Sequence, residues 1–389
     1  MLTVIDFVFT GHCWDPDGSD ELRFGWETLE RALGAARVFR TSATDLCQVW
    51  SEARRVVLVN NDLPDSANVL LLRHPHVLLA PGCLSRLNAA LVTTEADENA
   101  RLSVAFGYDS AYPAPGAAID YATVRGIERY AASLPAVVSL GDADKDRLIG
   151  LTTAGALRAT EDWLTLKALN VHSAFGHDFS GYHSGRREEA IPLVPLEAKR
   201  VLDVGGGAGG FLRALKSTRE CEVHLAEFSP QACSAARDYV DRVWQGDFMS
   251  QNFDVKFDCI TFLDVLEHTE NPRLWLSRAL SLLSPDGCIV ASIPNVGHWS
   301  VVADLLEGRW DYAPVGIHCI THLRFFTLTS VKTMLDKVGL VIEHIETTQL
   351  KAPEWWQVSN MSGQLRVDDE SLDTYAFIFR AGRKVPPSL

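Results

Sequence analysis

The sequence predicts an α/β protein. A first α/β domain (1–155) leads through a helical linker or entrance flap (156–196) into a doubly wound sheet (197–389). Three observations predict this. Short apolar runs alternate with helical patterns along the chain. One run, Val201-Leu202-Asp203-Val204, passes straight into Gly205-Gly206-Gly207-Ala208-Gly209-Gly210 and then into the helical pattern Phe211-Leu212-Arg213-Ala214-Leu215. The runs that follow it end in acidic residues, as expected of parallel strands whose C-terminal ends carry ligand contacts.

The first 150 residues give a strand at Val4–Phe9, a helix at Glu21–Ala36 and a strand at Arg54–Asn60 running into the polar turn Asn61-Asp62. Apolar runs at Leu70–Leu72 and Val77–Leu79 precede a turn at Pro81-Gly82 and a helix through Leu91. A strand at Leu102–Phe106 and a helix at Tyr121–Leu134 follow. A stretch rich in His, Gly and Ser, with His172, His177, Tyr182, His183, Arg186 and Arg187, directly precedes the glycine strand. It reads as an entrance flap over a ligand or as an interdomain linker.

From Lys199 the strands are Arg200–Val204, Glu222–Ala226, a short one from Val243, Phe257–Asp264, Cys288–Ile293, Leu340–Ile345 and Tyr375–Arg380. The helices are Phe211–Lys216, Pro230–Tyr239 with Ser229 as N-cap, Asn271–Leu283 and Thr329–Val338.

Composition excludes several classes. The chain has 389 residues and a net charge of −14, with no basic tail or Lys/Arg run, so nucleic acid is excluded as the main partner. No apolar run approaches the length of a membrane span. The eight cysteines include no C-x-x-C pair and read as reduced core thiols of a cytoplasmic protein. The sequence leaves a homodimer open.

The glycine stretch alone says only that a nucleotide-like ligand binds. Gly205, Gly207 and Gly209 let the backbone approach a ligand and take positive φ. The acidic residues narrow the ligand. Glu227 ends the second strand, where a carboxylate meets ribose hydroxyls. Asp247 follows the third, where it can accept from an adenine amino group. Asp203 stands just before the glycines, where it would repel a pyrophosphate but not a sulfonium cation.

On these residues, 197–300 resembles a class I S-adenosylmethionine-dependent methyltransferase. The stretches VLDVGGGAGG, HLAEFSP, QGDF, FDCITFLDVLEHTENP and LSPDGCIVASIPN match its motifs in order, and the likeness continues through THLRFFT and VGLVIEHIE. The resemblance implies S-adenosylmethionine as cofactor. It implies contacts from Asp203, Gly205, Gly207, Glu227, Phe228, Asp247, Phe248, Asp264 and His268, and that Leu266 and Glu267 on the same segment also face the cofactor. The N-terminal stretch VLLAPGCLSRLNAAL, after Leu58–Asp62, resembles a family-2-like nucleotide-sugar glycosyltransferase. Only Asp62 stands where that family carries metal-binding acids, which implies a degenerate domain for substrate recognition or assembly.

The acceptor and base must come from loops beyond the strand ends. His298, in Pro294-Asn295-Val296-Gly297-His298-Trp299, is a candidate base or a helix-capping histidine. His322 and Arg324 match an element, D-x-T-H-L-R-F-F-T, of methyltransferases linked to cell-surface polysaccharides and natural-product sugars; Cys319 stands where that element has Asp. His322 is then the general base, or a buried histidine tying this insertion to the sheet. His318, Cys319 and His322 lack a fourth metal ligand, so no metal is expected. Tyr182, Trp299, Trp310, Tyr312 and Arg324 are candidate acceptor contacts, as Trp355 and Trp356 are for stacking on a sugar or planar face. The expected reaction is O-methylation of a sugar or natural-product intermediate. N- or C-methylation of a small metabolite and a still-active N-terminal glycosyltransferase are the alternatives.

Overall fold

In the computed structural model the described residues are 5–10, 37–60, 62–73, 77–79, 83–93, 100–109, 138–142, 147–161, 163, 167–178, 185–312, 316–352, 356 and 369–384. Contacts divide the chain into two units, Met1–Tyr182 and His183–Leu389. The helices expected at Glu21–Ala36 and Tyr121–Leu134 lie outside the described residues, as do Tyr182 and Trp355.

The first unit contains β1 (Phe7–Thr10), β2 (Arg37–Arg40), α1 (Leu46–Val59), β3 (Asn68–Leu72), β4 (Val77–Leu79), α2 (Cys83–Thr93), β5 (Ala100–Asp109), β6 (Val138–Asp142), β7 (Ile149–Thr153), α3 (Ala154–Ala159) and β8 (Lys167–Asp178). Its sheet runs β2-β1-β3-β7-β5-β8-β4, with β6 also on β8. β1 is parallel to β2 and β3, and β7 is antiparallel to its two neighbours. One apolar cluster gathers around Trp50 and Trp163, another around Leu70, Leu72 and Leu87.

Two expectations are corrected here. The strand expected at Arg54–Asn60 is the last part of α1. Leu46, Val49, Trp50, Ala53 and Val57 are buried at helical spacing, while Leu58 and Val59 face solvent. Asp45 caps this helix by accepting from the Gln48 N–H at 2.9 Å. Asp62 therefore follows a helix, and the strand-end acidic site inferred for it has no strand to stand on. The stretch 156–196, expected as a helical linker or flap, contains β8, which pairs with β5 and β6 inside the first sheet.

The second unit contains β9 (Arg200–Val204), α4 (Gly210–Thr218), β10 (Glu222–Glu227), α5 (Pro230–Ala236), β11 (Arg242–Gln245), β12 (Phe257–Leu263), α6 (Pro272–Leu282), β13 (Leu283–Pro294), α7 (Trp299–Leu306), α8 (Leu328–Asp336), β14 (Leu340–Gln349), α9 (Asp369–Asp373) and β15 (Thr374–Arg383). Its seven-stranded sheet runs β11-β10-β9-β12-β13-β15-β14. The first five strands are mutually parallel, and β15 is antiparallel to both neighbours. Helices pack on both faces, so the central strands are apolar on both sides. Leu202 and Val204 join one core cluster and Val201 the opposite one. The chain reverses strand order between β9 and β12, which opens a crevice beyond their C-terminal ends. No helix of the described residues is long and apolar enough to cross a membrane.

Candidate active site

The glycine turn after β9 takes the shape its composition allows. Gly205, Gly207 and Gly209 have φ of 71°, 55° and 76°, and the Gly209 N–H closes the turn on the Gly206 carbonyl at 2.9 Å. Gly206 is held for a different reason. A Cβ there would lie 2.1 Å from Asp203 Oδ2 and 2.9 Å from Leu225 Cδ1. The Tyr239 hydroxyl donates to the Ala208 carbonyl and so pins the turn from the segment just after α5.

Asp203 is 1% exposed. Its Oδ1 accepts from the Thr261 hydroxyl on β12, and its Oδ2 has no partner among the described residues. Burial pushes this carboxyl up to about 7; the nearby Glu227 charge adds to the rise, and the Thr261 hydrogen bond opposes it. Glu227, at the end of β10, accepts from the Gly207 N–H at 2.9 Å and the Ser229 N–H at 2.8 Å, tying the second strand to the glycine turn. Each of its oxygens keeps one lone pair for a ligand hydroxyl. Phe228 beside it is 76% exposed, an apolar ring left in the open at the sheet edge. Asp247 folds its carboxylate onto its own turn, accepting from the Met249 N–H at 3.0 Å and the Ser250 hydroxyl at 2.9 Å.

Phe248 is corrected. Its side chain is buried among Phe253, Phe262 and Trp275, so the core holds it and no ring is offered to a ligand.

Asp264 follows β12 in a left-handed conformation, φ 56°. Its Oδ1 accepts from the Ser292 hydroxyl at 2.6 Å, and its Oδ2 meets the Arg187 guanidinium. Burial pushes this carboxyl up, but the Arg187 charge and the hydrogen bonds from Ser292 and Arg187 outweigh it and hold it below the usual range. Its side chain nevertheless keeps 43% of its surface open, as a group lining a cleft does. Arg187 is the other non-glycine residue at positive φ among the described residues, and also holds Glu189 at 2.6 Å and Ser292 at 3.0 Å. Two such strained residues joined by an ion pair mark a built site. Sequence reasoning placed Arg187 only in the flap, because its partner stands 77 positions away.

Glu267 and His268 sit in a short 3-10 turn, Leu266–His268. The THLRFFT element is stitched to it: the Glu267 carbonyl accepts from the Leu323 and Arg324 N–H groups at 2.8 and 3.0 Å. His268 Nδ1 meets the Thr321 carbonyl at 3.2 Å, and the His268 and His322 rings stand 4.7 Å apart, edge to face. His322 Nδ1 lies 2.9 Å from the Ile317 carbonyl, so it carries the proton and Nε2 is the basic atom. Burial and then the neighbouring His268 lower His322 to about 4. Cys319 Sγ contacts Thr321 Oγ1 at 3.2 Å, and among the described residues the group whose donor atoms converge, within 4.8 Å, is Glu267, His268 and His322.

The other candidates separate. His298 is fully buried and caps α7: its Nδ1 meets Ser300 Oγ at 2.8 Å and its Nε2 donates to the Leu350 carbonyl at 2.9 Å. Both ring nitrogens are used, so the structure corrects His298 from base to cap. Trp299 is corrected likewise; it is buried, and its indole N–H donates to the same Leu350 carbonyl at 2.9 Å. Trp310 keeps 36% of its surface while lying over His318 at 4.3 Å, and Tyr312 is exposed. Arg324 is exposed and spends its guanidinium on the Leu323 and Glu270 carbonyls.

Residues 182–345 match the family model described as a methyltransferase domain. The ubiquinone biosynthesis O-methyltransferase of Cereibacter sphaeroides (strain KD131 / KCTC 12085) is 26% identical over 163 residues, 40% of this chain and 64% of the relative. The mitochondrial ubiquinone biosynthesis O-methyltransferase of Schizosaccharomyces pombe is 30% identical over 164 residues, 39% of this chain and 58% of the relative. The chain thus spans less than two thirds of these relatives' own length. Among solved structures, a SAM-dependent methyltransferase from Archaeoglobus fulgidus is 18% identical with a TM-score of 0.37, over 51% of this chain and 91% of that one. The O-methyltransferase NcsB1 from neocarzinostatin biosynthesis is 16% identical with a TM-score of 0.33, over 50% of each chain.

Proposed function

We infer, from a C-terminal half that carries a class I S-adenosylmethionine-dependent methyltransferase domain, that this chain methylates a hydroxyl of a small-molecule acceptor, a sugar or natural-product intermediate. The observation that carries the reading is Asp203: a buried carboxyl with one unpartnered oxygen set against a glycine turn that no side chain can enter. A dinucleotide pyrophosphate would meet repulsion there, whereas a cationic ligand supplies what the carboxyl lacks.

The residues fit the cofactor. Asp203, Gly205 and Gly207 would hold it, Glu227 would offer its free lone pairs to the ribose hydroxyls, and Phe228, Asp247, Asp264 and His268 border the same strand ends. S-Adenosylmethionine, when bound, supplies a methyl group on a positively charged sulfur. The chain's part is to align the acceptor with that carbon and to accept the hydroxyl proton at His322 Nε2. Exposed Trp310 and Tyr312 offer flat apolar faces to a sugar or ring-bearing acceptor. The relatives' name, O-methyltransferase, favours oxygen over nitrogen or carbon. The first unit, read as a degenerate glycosyltransferase-like domain, serves acceptor recognition or assembly. Cytoplasmic residence accords with the seven free cysteines among the described residues.

The test is methyl transfer itself. Purified chain with S-adenosylmethionine and a panel of nucleotide sugars, glycosylated intermediates and phenols is expected to give a methylated product by mass. Absence of both product and S-adenosylhomocysteine across the panel would sink the reading. Gly206→Ala is expected to weaken S-adenosylmethionine binding about 10- to 100-fold by calorimetry, because the added methyl must displace the Asp203 carboxyl. Unchanged affinity would place the cofactor elsewhere.

A further inference from the structure

Glu267 is a buried ionisable group that the reading above leaves unused. Its side chain is fully buried, and neither carboxyl oxygen has a hydrogen-bond partner among the described residues. One donor atom each from Glu267, His268 and His322 lies within 4.8 Å of the other two, close enough to exchange a proton through one bridging water. The Nδ1 atoms of both histidines face backbone carbonyls, which leaves Nε2 as the basic atom of each ring.

The charged surroundings run back to the glycine turn. Asp264, from the loop after β12, and Arg187, from the segment before β9, act on Glu267. Arg187 acts on Asp203 as well. His268, Asp264 and His318 act on His322. Burial, reinforced by the Asp264 charge, pushes Glu267 well up, while burial and His268 hold His322 down. A fully buried carboxyl whose oxygens have no hydrogen-bond partner among the described residues favours its neutral form.

We propose that Glu267, His268 and His322 form one proton-holding cluster, that it gives up its proton when a cationic cofactor enters the neighbouring glycine-turn site, and that ionised Glu267 is what lets His322 act as base. The proposal rests on the methyl-transfer reading. It makes Glu267 a positioning residue that acts through His322. With Glu267 neutral, the carboxylate left to act on an imidazolium at His322 is Asp264, which Arg187 already pairs. With Glu267 ionised, the imidazolium forms beside a carboxylate.

The protons balance over a cycle. Glu267 loses its proton to solvent as the positive charge arrives. During transfer the acceptor O–H bond breaks and the N–H bond at His322 Nε2 forms; the acceptor oxygen bonds the methyl carbon, and the electrons of the carbon–sulfur bond stay on sulfur. The product thioether has lost the sulfonium charge, so Glu267 takes the proton from His322 and the cluster returns to its resting form.

The experiment compares S-adenosylmethionine with S-adenosylhomocysteine, which lacks the sulfonium charge. Each is titrated calorimetrically into the full chain near neutral pH, in buffers of different ionisation enthalpy. S-Adenosylmethionine is expected to release more protons than S-adenosylhomocysteine, by a difference of more than about half a proton per site. Glu267→Gln is expected to at least halve that difference while both ligands still bind; what remains is the proton that Asp203, intact in the variant, releases. Should the variant fail to fold, infrared difference spectra of the Asp203→Asn chain at saturating ligand are expected to show a protonated carboxyl lost with S-adenosylmethionine and kept with S-adenosylhomocysteine. Equal proton release by the two ligands, a difference left unchanged by Glu267→Gln, or a stoichiometric divalent cation in the purified chain occupying these donor atoms would overturn the proposal. Failure of both ligands to bind would instead overturn the methyl-transfer reading.

Discussion

At about pH 8 the Asp203→Asn variant is expected to melt higher than the wild-type chain, while binding S-adenosylmethionine about 10- to 100-fold more weakly. Asp203 is raised from 3.8 to about 7 in the folded protein, chiefly by burial. The folded chain therefore holds this proton more tightly than the unfolded chain does. The corresponding stability is fully present below pH 3.8 and is lost as the pH rises through about 7. Above that point the buried carboxylate is a cost that asparagine does not carry. Asparagine keeps the oxygen that accepts from Thr261 and replaces the unpartnered Oδ2 by a neutral amide. The melting difference, followed through the C-terminal unit's transition, is expected to grow between pH 4 and 8. A variant that melts lower at pH 8 would show that the carboxylate stabilises the fold, and would remove the argument that it is kept for a cation.

How much of this was legible in sequence depends on how local the cause is. β9, β10 and β12 are apolar on both faces because helices cover both sides, and their runs are readable without partners. The Ser229 cap was readable because its bond to the Ala232 N–H spans three residues. The end of α1 was misread because Val56–Val59 looks like a strand when the burial spacing from Leu46 onward is left out. The antiparallel insertion of β15 between β13 and β14 is a pairing between distant segments and leaves no local pattern. The site divides in the same way. Asp203, Glu227 and the glycines were legible, since they lie where one strand end turns. The roles of Arg187, Thr261 and Ser292 were not, because each depends on a partner at least 28 positions away.

That distinction also separates the two histidines, and substitution is expected to separate them in opposite directions. His322→Ala is expected to lower turnover at least about tenfold, the low end of a general base's contribution, with S-adenosylmethionine affinity unchanged. Its Nε2 is the available basic atom on the element stitched to the turn after β12, and its Nδ1 is fixed by Ile317. His298→Ala is expected to cost about 1–3 kcal/mol of stability in the C-terminal unit's melting transition, with turnover per folded molecule nearly unchanged. It removes the cap of α7 and one of the two donors to the Leu350 carbonyl, leaving Trp299 as the other. His298 follows the end of β13 and His322 stands in the segment between α7 and α8, and residue type alone treats them alike. The partners treat them differently, since His298 has both nitrogens engaged and His322 has one. Loss of turnover in a well-folded His298→Ala variant, beside an active His322→Ala variant, would exchange the two roles and move the acceptor to the loop after β13.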